Sequence, residues 1–305
     1  MDRWKKGQIM KKTLILITLV LFAVACKKAN LDILAFPSEK LDSYQFENYD
    51  GGKYSVPAEY DITSDHYTLV TMPSVDKETG ETFEIYGVYI GDISTMATDT
   101  VLMYCHGQSL HMDAYWYRVS LLTSIVEKYH YGVFMMDYRG YGMSKGKSSE
   151  QGLYEDVDAS IDWLVANGAK AEQTFYYGFS LGCIPVIDRA AYRTDFKPAK
   201  IMIESPLASV ENLTQSSLVL NVDPSFVADL EFENAEKMKD VTMPLLWMHG
   251  VEDDYIEINN GELIYANHSG SYKLAVRVEG AGHEGIPSVF GYENYITLLE
   301  TFIKK

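Results

Sequence analysis

A serine with glycines on both sides lies in the pentapeptide Gly178-Phe179-Ser180-Leu181-Gly182, between a short apolar run and a segment with the pattern of a helix. A serine at such a strand-to-helix turn is exposed for attack on a carbonyl, and the glycines let strand and helix pass closely. The helix N-terminus offers N–H groups and a positive dipole end to a developing oxyanion. We therefore expect Ser180 to be a catalytic nucleophile.

A serine nucleophile needs a histidine base, and the chain has seven histidines. Of these, His283 follows the last predicted strand, in Gly280-Ala281-Gly282-His283, on a loop that can reach over the serine. We expect His283 to take the serine proton and return it to the leaving group. The other six lie before or at the ends of predicted strands, in an early loop or in a polar turn: His66, His106, His111, His130, His249 and His268.

Three consecutive carboxylates, Glu252, Asp253 and Asp254, follow a predicted strand between the serine and the histidine. The third member of a triad must accept a hydrogen bond from the histidine and hold its tautomer, so only one of them points inward. We expect this to be Asp253, with Asp254 and then Glu252 as the alternatives.

Oxyanion stabilisation calls for backbone N–H donors from the residue after the nucleophile and from the loop after an early strand. These are Leu181 and Gln108, the latter in Tyr104-Cys105-His106-Gly107-Gln108. Each such donor typically contributes on the order of 3 kcal/mol to the transition state.

The elements that position these residues alternate between strand-length apolar runs and helix-length amphipathic segments, which predicts a mostly parallel, doubly wound sheet with helices on both faces. Alternating patterns within residues 54–90 predict antiparallel strands before it. The insertion 206–241 is predicted to be a small lid. The predicted strands are Val101–Cys105, Tyr131–Met136, Thr174–Tyr177, Ala199–Ile203, Pro244–Met248 and Tyr272–Val278. The predicted helices are Ala114–Tyr129, Ser149–Ala166, Ser180–Ala191, Glu257–Ala266 and Ser288–Phe302.

Over roughly residues 60–303 the chain resembles the Bem46-like serine hydrolases. The resemblance implies an α/β-hydrolase fold with a small cap or none, and a triad of Ser180, Asp253 and His283. The family commonly has Asn where this chain has Gln108, and Val-Pro where it has Tyr255-Ile256, which bears on substrate preference. The motifs are His106-Gly107, Asp137-Tyr138-Arg139-Gly140-Tyr141-Gly142-Met143-Ser144-Lys145-Gly146, Glu150-Gln151-Gly152-Leu153-Tyr154-Glu155-Asp156, Asp162-Trp163-Leu164, Gly178 to Gly182, Glu204-Ser205-Pro206, His249-Gly250-Val251-Glu252-Asp253 and Gly282-His283.

The amino terminus has a basic stretch, a short apolar run and small residues, which is typical of a secretory signal. Ala23-Val24-Ala25-Cys26 resembles a bacterial lipobox, so we expect a signal peptide at 1–25, lipidation of Cys26, a tether at 26–43 and a hydrolase domain at 44–305. This predicts a lipoprotein anchored to a membrane of a bacterial cell envelope, on its periplasmic or cell-surface face. The alternative is a plain signal peptide with an incidental cysteine.

Charge and cysteine content exclude several classes of partner. After residues 1–25 are removed, 21 basic and 42 acidic residues remain, a net charge of −21, which disfavours nucleic acid. We expect Cys105 and Cys183 to be free buried thiols, a bridge between them being the alternative. No metal-binding or phosphate-cradling motif occurs in the sequence, so we expect neither metal nor cofactor.

The sequence thus predicts a serine hydrolase that cleaves an ester or thioester of a small or lipid-like substrate through an acyl-enzyme. Two alternatives remain at this stage. One is a peptidase of the prolyl-oligopeptidase type, which shares the catalytic domain and the order of the triad. The other is a non-catalytic envelope lipoprotein that retains the fold.

Overall fold

A computed structural model describes residues 36–52, 54–125, 128–129, 131–212 and 230–305 of the 305-residue chain. The predicted signal peptide, Cys26, His130 and the middle of the predicted lid lie outside these residues. The strands are β1 (Tyr67–Val75), β2 (Thr82–Ile90), β3 (Thr100–Cys105), β4 (Tyr131–Met136), β5 (Thr174–Phe179), β6 (Lys200–Glu204), β7 (Leu245–Gly250) and β8 (Lys273–Val278). The described α-helices are α1 (Trp116–Leu122), α2 (Glu150–Ala166), α3 (Cys183–Tyr192), α4 (Asn234–Lys237), α5 (Asn259–Asn267), α6 (Ile286–Phe290) and α7 (Tyr292–Lys304).

All eight strands form one sheet in the order β1-β2-β4-β3-β5-β6-β7-β8. β1 pairs with β2 and β2 pairs with β4 in antiparallel fashion, and the other neighbours are parallel. The predicted mostly parallel sheet with antiparallel strands at its N-terminal end is confirmed. Its parallel strands direct their carboxyl ends to one edge, where loops carrying polar residues meet.

Both faces of the sheet are covered, which explains why the parallel strands β3, β4 and β5 carry no charged side chain and are almost completely buried. Successive residues of β3 alternate between the two cores, with Met103 in one and Leu102 and Tyr104 in the other. The first core includes the inward faces of α2 and α3, and the second those of α1 and α7.

Two predicted helices are wrong in extent. The helix predicted at 114–129 is α1, which ends at Leu122, because Thr123 and Ser124 both turn their hydroxyls onto the carbonyl of Ser120. Such side-chain bonds to the backbone compete with helix continuation. The helix predicted at 288–302 is divided into α6 and α7 at Gly291, whose φ of +91° is incompatible with a continuous helix.

The amino-terminal segment of the described chain packs against the loops that follow β3 and β4. Phe36 is buried, Ser38 forms a parallel bridge with Leu110, and Lys40 forms one with Gly142. Residues 36–43 of the predicted tether therefore lie on the surface of the domain.

A buried charge network joins the turn after β4 to β1 and α2. The guanidinium of Arg139 lies 2.9 Å from Asp156 Oδ1 and 2.9 Å from Glu155 Oε2, and donates to Ser74 Oγ at 2.9 Å. Asp156 also accepts from the backbone N–H of Arg139 at 2.6 Å. These groups are almost completely buried, so Arg139 and the two carboxylates depend on one another for a counter-charge, and Ser74 adds hydrogen bonds.

We predict that Arg139→Met lowers the free energy of unfolding by about 3–5 kcal/mol, since it leaves buried carboxylates without their counter-charge. Urea unfolding followed by circular dichroism measures this. Arg193→Met is the control, because Asp162 and Asp195, two of the carboxylates that Arg193 contacts, are largely exposed, and surface pairs contribute about 1 kcal/mol or less. Equal losses in the two variants would contradict the assignment.

Candidate active site

Ser180 lies at the sharp turn between β5 and α3. Its φ is +52°, a left-handed conformation that is uncommon for residues other than glycine. The strained backbone is maintained by the surrounding packing, since strain of this kind persists only where neighbours over-determine it. Ser180 and the next two residues form a single tight helical turn before α3 begins at Cys183.

The two glycines of the pentapeptide are required by close backbone packing. A Cβ atom on Gly178 would lie 2.6 Å from the carbonyl oxygen of Gly182, and one on Gly182 would lie 2.1 Å from that of Cys105. Neither contact can relax by moving a flexible side chain. The spacing Gly-x-Ser-x-Gly therefore presses the serine turn against the end of β3.

The structure brings Ser180, His283 and Asp253 together. His283, on the loop after β8, has Nε2 2.9 Å from Ser180 Oγ and Nδ1 2.8 Å from Asp253 Oδ2. The side chain of Asp253 is fully buried and that of His283 is 14% exposed. Among the three candidate carboxylates, Glu252 and Asp254 are exposed, and the structure places Asp253 against the histidine.

Asp253 is held as an acceptor of several hydrogen bonds. Its Oδ1 accepts from the backbone N–H groups of Tyr255 at 3.0 Å and Ile256 at 2.8 Å, and its Oδ2 lies 3.3 Å from His249 Nε2. Burial acts to raise the pKa of Asp253, but the bonds from His249 and His283 outweigh it and lower the pKa well below its usual value. Asp253 is therefore ionised at neutral pH and fixed in orientation.

His249 is a residue that the sequence analysis left without a role. Trp247 Nε1 donates to His249 Nδ1 at 3.4 Å, so Nδ1 is the acceptor and Nε2 is the donor that faces Ile256 O at 2.9 Å and Asp253. The signal in the sequence was the spacing of four residues between His249 and Asp253 across the end of β7. A second histidine thus holds the oxygen of Asp253 that faces His283.

The loop after β3 places Gln108 beside Ser180 in a common cleft. The carbonyl of Gly107 accepts from His106 Nδ1 at 2.7 Å. Because the C=O and N–H of a trans peptide point in opposite directions, the N–H of Gln108 points away from the His106 ring. The N–H of Leu181 belongs to the first turn of a helical segment, where it has no partner within the helix. Gln108 therefore lies in the same cleft as Ser180, and Leu181 is the next residue along the chain, while their role as oxyanion donors stays a prediction.

Buried tyrosines and one aspartate support this loop from below. Tyr138 donates to the carbonyl of His106 at 2.9 Å, and Tyr141 donates to that of Gln108 at 2.6 Å. Asp137 accepts from Tyr44 of the amino-terminal segment at 2.7 Å and from the N–H of Met112 at 2.9 Å. The segment Asp137–Gly142 therefore holds the loop after β3 in place, and this loop borders the cleft.

The cleft above Ser180 has a volume of about 480 Å³, sufficient for a small ligand. Aromatic rings form much of its wall, and the side chains of Gln108 and Tyr255 interact there. Its described lining comprises Tyr54, Gln108, Ser109, Tyr115, Phe179, Ser180, Asp254, Tyr255, Gly282, His283, Glu284 and Gly285.

Two features are absent from the described part of the chain. No group of three or more His, Cys, Asp or Glu side chains is arranged there to hold a metal ion. Within the same residues, no helix combines the length and apolar character needed to cross a membrane.

Cys105 and Cys183 are both buried as free thiols.

We predict that Gly182→Ala lowers the free energy of unfolding by about 1–3 kcal/mol or more, because its Cβ would overlap the backbone of β3. Denaturant unfolding measures this. Gly52→Ala is the control, since the nearest atom to a Cβ there is 3.5 Å away. Unchanged stability of the Gly182 variant would show that the serine turn is not pressed against β3.

The lowered pKa of Asp253 gives a second prediction. Because the carboxylate titrates lower in the folded chain than in the unfolded one, it stabilises the fold above a pH of about 4, and this contribution is lost on acidification. The stability difference between wild type and Asp253→Asn should therefore shrink between about pH 5 and about pH 3. Urea titrations at these pH values test it, and a difference that grows on acidification would contradict it.

Proteins with a similar amino-acid sequence are known. No family model matches the sequence. Alpha/beta hydrolase domain-containing protein 17B of Xenopus laevis is 29% identical over 205 residues, 66% of this chain and 65% of that protein. Alpha/beta hydrolase domain-containing protein 17C of Homo sapiens is 30% identical over 207 residues, which are 66% of this chain and 57% of that protein. The chain thus spans less than two thirds of the length of these relatives.

Solved structures show the same fold at low sequence identity. The Pyrococcus furiosus esterase Pf2001 superposes with a TM-score of 0.61 at 15% identity, over 88% of this chain and 98% of that one. The Paleococcus ferrophilus monoacylglycerol lipase gives 0.54 at 20% identity, over 72% and 98%. The predicted α/β-hydrolase fold is therefore confirmed. The chain is also similar in sequence to proteins named as α/β-hydrolase domain-containing.

Proposed function

We propose that this protein is a serine hydrolase of the Bem46-like type, which cleaves an ester or thioester of a small or lipid-like substrate through an acyl-enzyme. The observation that carries the proposal is the connected chain of Ser180 Oγ, His283 Nε2 and Nδ1, and Asp253 Oδ2, with contacts of 2.9 and 2.8 Å at the floor of an open cleft. The esterase and the lipase that share the fold are consistent with it.

In the first step, His283 Nε2 removes the proton of Ser180 as Oγ bonds to the substrate carbonyl carbon. Asp253 holds Nδ1–H and stabilises the imidazolium that forms. The N–H groups of Gln108 and Leu181 bind the negative oxygen of the tetrahedral intermediate. His283 then gives its proton to the leaving alcohol or thiol as the carbonyl carbon–leaving group bond breaks.

In the second step, water replaces the leaving group. His283 takes a proton from the water as its oxygen bonds to the acyl carbon, and the bond between that carbon and Ser180 Oγ breaks. The proton returns to Ser180, the acid product leaves, and the site is restored.

We further propose that the enzyme works outside the cytoplasm, tied to a membrane of the bacterial envelope through a lipid on Cys26. This rests on the sequence of the amino terminus alone. Incorporation of a clickable fatty acid into the full chain, and its loss in Cys26→Ser, tests the anchor. Equal incorporation in both would overturn it.

We predict that Ser180→Ala lowers kcat/KM on p-nitrophenyl esters by roughly 10⁴-fold or more and abolishes labelling by a fluorophosphonate. Ser160→Ala, which removes a buried hydroxyl from α2 on one face of the sheet, is the control and should retain both.

Three outcomes would contradict the proposal. Labelling that persists in Ser180→Ala would remove the serine from its role. Turnover of peptide amides alone would favour a peptidase. Absence of both labelling and turnover on esters, thioesters and amides would favour a non-catalytic protein with this fold.

A further inference from the structure

A buried ion pair lies below the cleft and is not used by the proposed mechanism. Nη1 of Arg118, on α1, donates to both oxygens of Glu204 at the end of β6, at 2.9 and 3.0 Å. Both side chains are at most 1% exposed. The carboxylate of Glu204 also accepts from the hydroxyls of Tyr177 and Tyr295. A pair so deeply buried needs good geometry and complete hydrogen bonding to be tolerated.

The remaining faces of the Arg118 guanidinium contact the residues next to the serine and the histidine. Nη2 donates to the carbonyl oxygen of Glu284, the residue after His283, at 3.3 Å. The guanidinium carbon lies 3.9 Å from the centre of the Phe179 ring, the residue before Ser180. The same ring packs against the His283 imidazole, with centroids 5.2 Å apart. Arg118 thus contacts both the end of β5, which carries Ser180, and the loop that carries His283.

The end of β6 makes a second connection to the histidine loop. Ser205 donates from Oγ to the carbonyl oxygen of His283 at 3.4 Å. Ser205 is fully buried and has a φ of +47°, a strained conformation directly after Glu204. Ser205 therefore contacts the carbonyl of His283 directly, and Glu204 is linked to the next carbonyl, that of Glu284, through Arg118.

Arginine suits this position for a geometric reason. Its planar fork presents several donors in fixed directions, whereas lysine offers a compact point charge on a flexible stem. Here the fork serves Glu204 and the carbonyl of Glu284 at once, while Nε donates to the Tyr117 hydroxyl at 3.0 Å. Lysine would retain the charge opposite Glu204 but would not hold these groups together.

We propose that Arg118 is a positioning residue, which locks the His283 loop to the end of β6 and to Phe179 so that His283 stays in line with Ser180. The effect of Arg118 on catalysis rests on the proposed function, whereas its effect on the order of the His283 loop does not. Loss of the fork would let the loop move, and a displacement of about 1 Å at a reacting group lowers the rate by roughly 10²-fold.

The test compares Arg118→Lys and Arg118→Met with wild type. Arg193→Lys is the matched control, because Arg193 pairs with Asp158, Asp162 and Asp195, which do not line the cleft. In Arg118→Lys we expect kcat on a p-nitrophenyl ester to fall by roughly 10²-fold with KM nearly unchanged. Arg193→Lys should retain the wild-type kcat.

A second measurement is independent of activity. Hydrogen–deuterium exchange of the peptide containing residues 282–285, and the low-field proton resonance of the His283–Asp253 hydrogen bond, report the order of the loop. In Arg118→Lys we expect faster exchange confined to this loop and a weakened resonance, while the β-sheet stays protected. Arg118→Met should show the same pattern more strongly wherever it remains folded.

Wild-type exchange and a wild-type resonance in Arg118→Lys would overturn the proposal, whatever the activity. Uniformly faster exchange over the whole domain would also overturn it, since it would assign Arg118 to global stability. If Ser180→Ala kept its activity while the loop was loosened in Arg118→Lys, the proposed function would fail and the positioning of the loop would stand.

Discussion

The close approach of Gly182 to the backbone of β3 is the contact on which the geometry of the candidate site depends. It leaves no room for a Cβ against the carbonyl of Cys105, and it places the turn of Ser180 beside the loop that begins at His106. Because the two N–H donors proposed for the oxyanion come from these two segments, their separation is determined by backbone packing in the sheet. Side chains such as Tyr138 and Tyr141 then only need to keep the second segment from moving.

Much of this arrangement could be predicted from the sequence, because it follows local patterns. Apolar runs indicate the parallel strands, and residues at their carboxyl ends meet at one edge, so Ser180 and His283 could be placed together before any coordinates. The contribution of Arg118 could not be predicted, since its partner Glu204 is 86 residues away and an isolated arginine in an amphipathic segment looks like an ordinary surface residue. The end of α1 at Leu122 depended on hydroxyl bonds to the backbone, which periodicity does not report.

Ionised groups below the cleft are arranged in two separate sets. Asp253 receives bonds from two histidines and two backbone N–H groups, whereas Glu204 is paired with Arg118 and accepts hydrogen bonds from two tyrosine hydroxyls. Both carboxylates are inaccessible to water, so their hydration is replaced by fixed donors from the protein. Such preorganised donors need little rearrangement when charge moves during a reaction, which is the condition for electrostatic stabilisation of a transition state.

The bridge between Ser38 and Leu110 has a consequence for where the cleft stands relative to a lipid surface. Leu110 is two residues beyond Gln108, so the chain that emerges at Phe36 does so next to the loop that borders the cleft. Nine residues lie between Cys26 and Phe36, so ten Cα–Cα steps give a contour of at most about 36 Å. Under the proposed anchoring at Cys26, this short segment would keep the cleft entrance close to the bilayer. The concentration of membrane-borne esters at the cleft would then be set by the length of the segment.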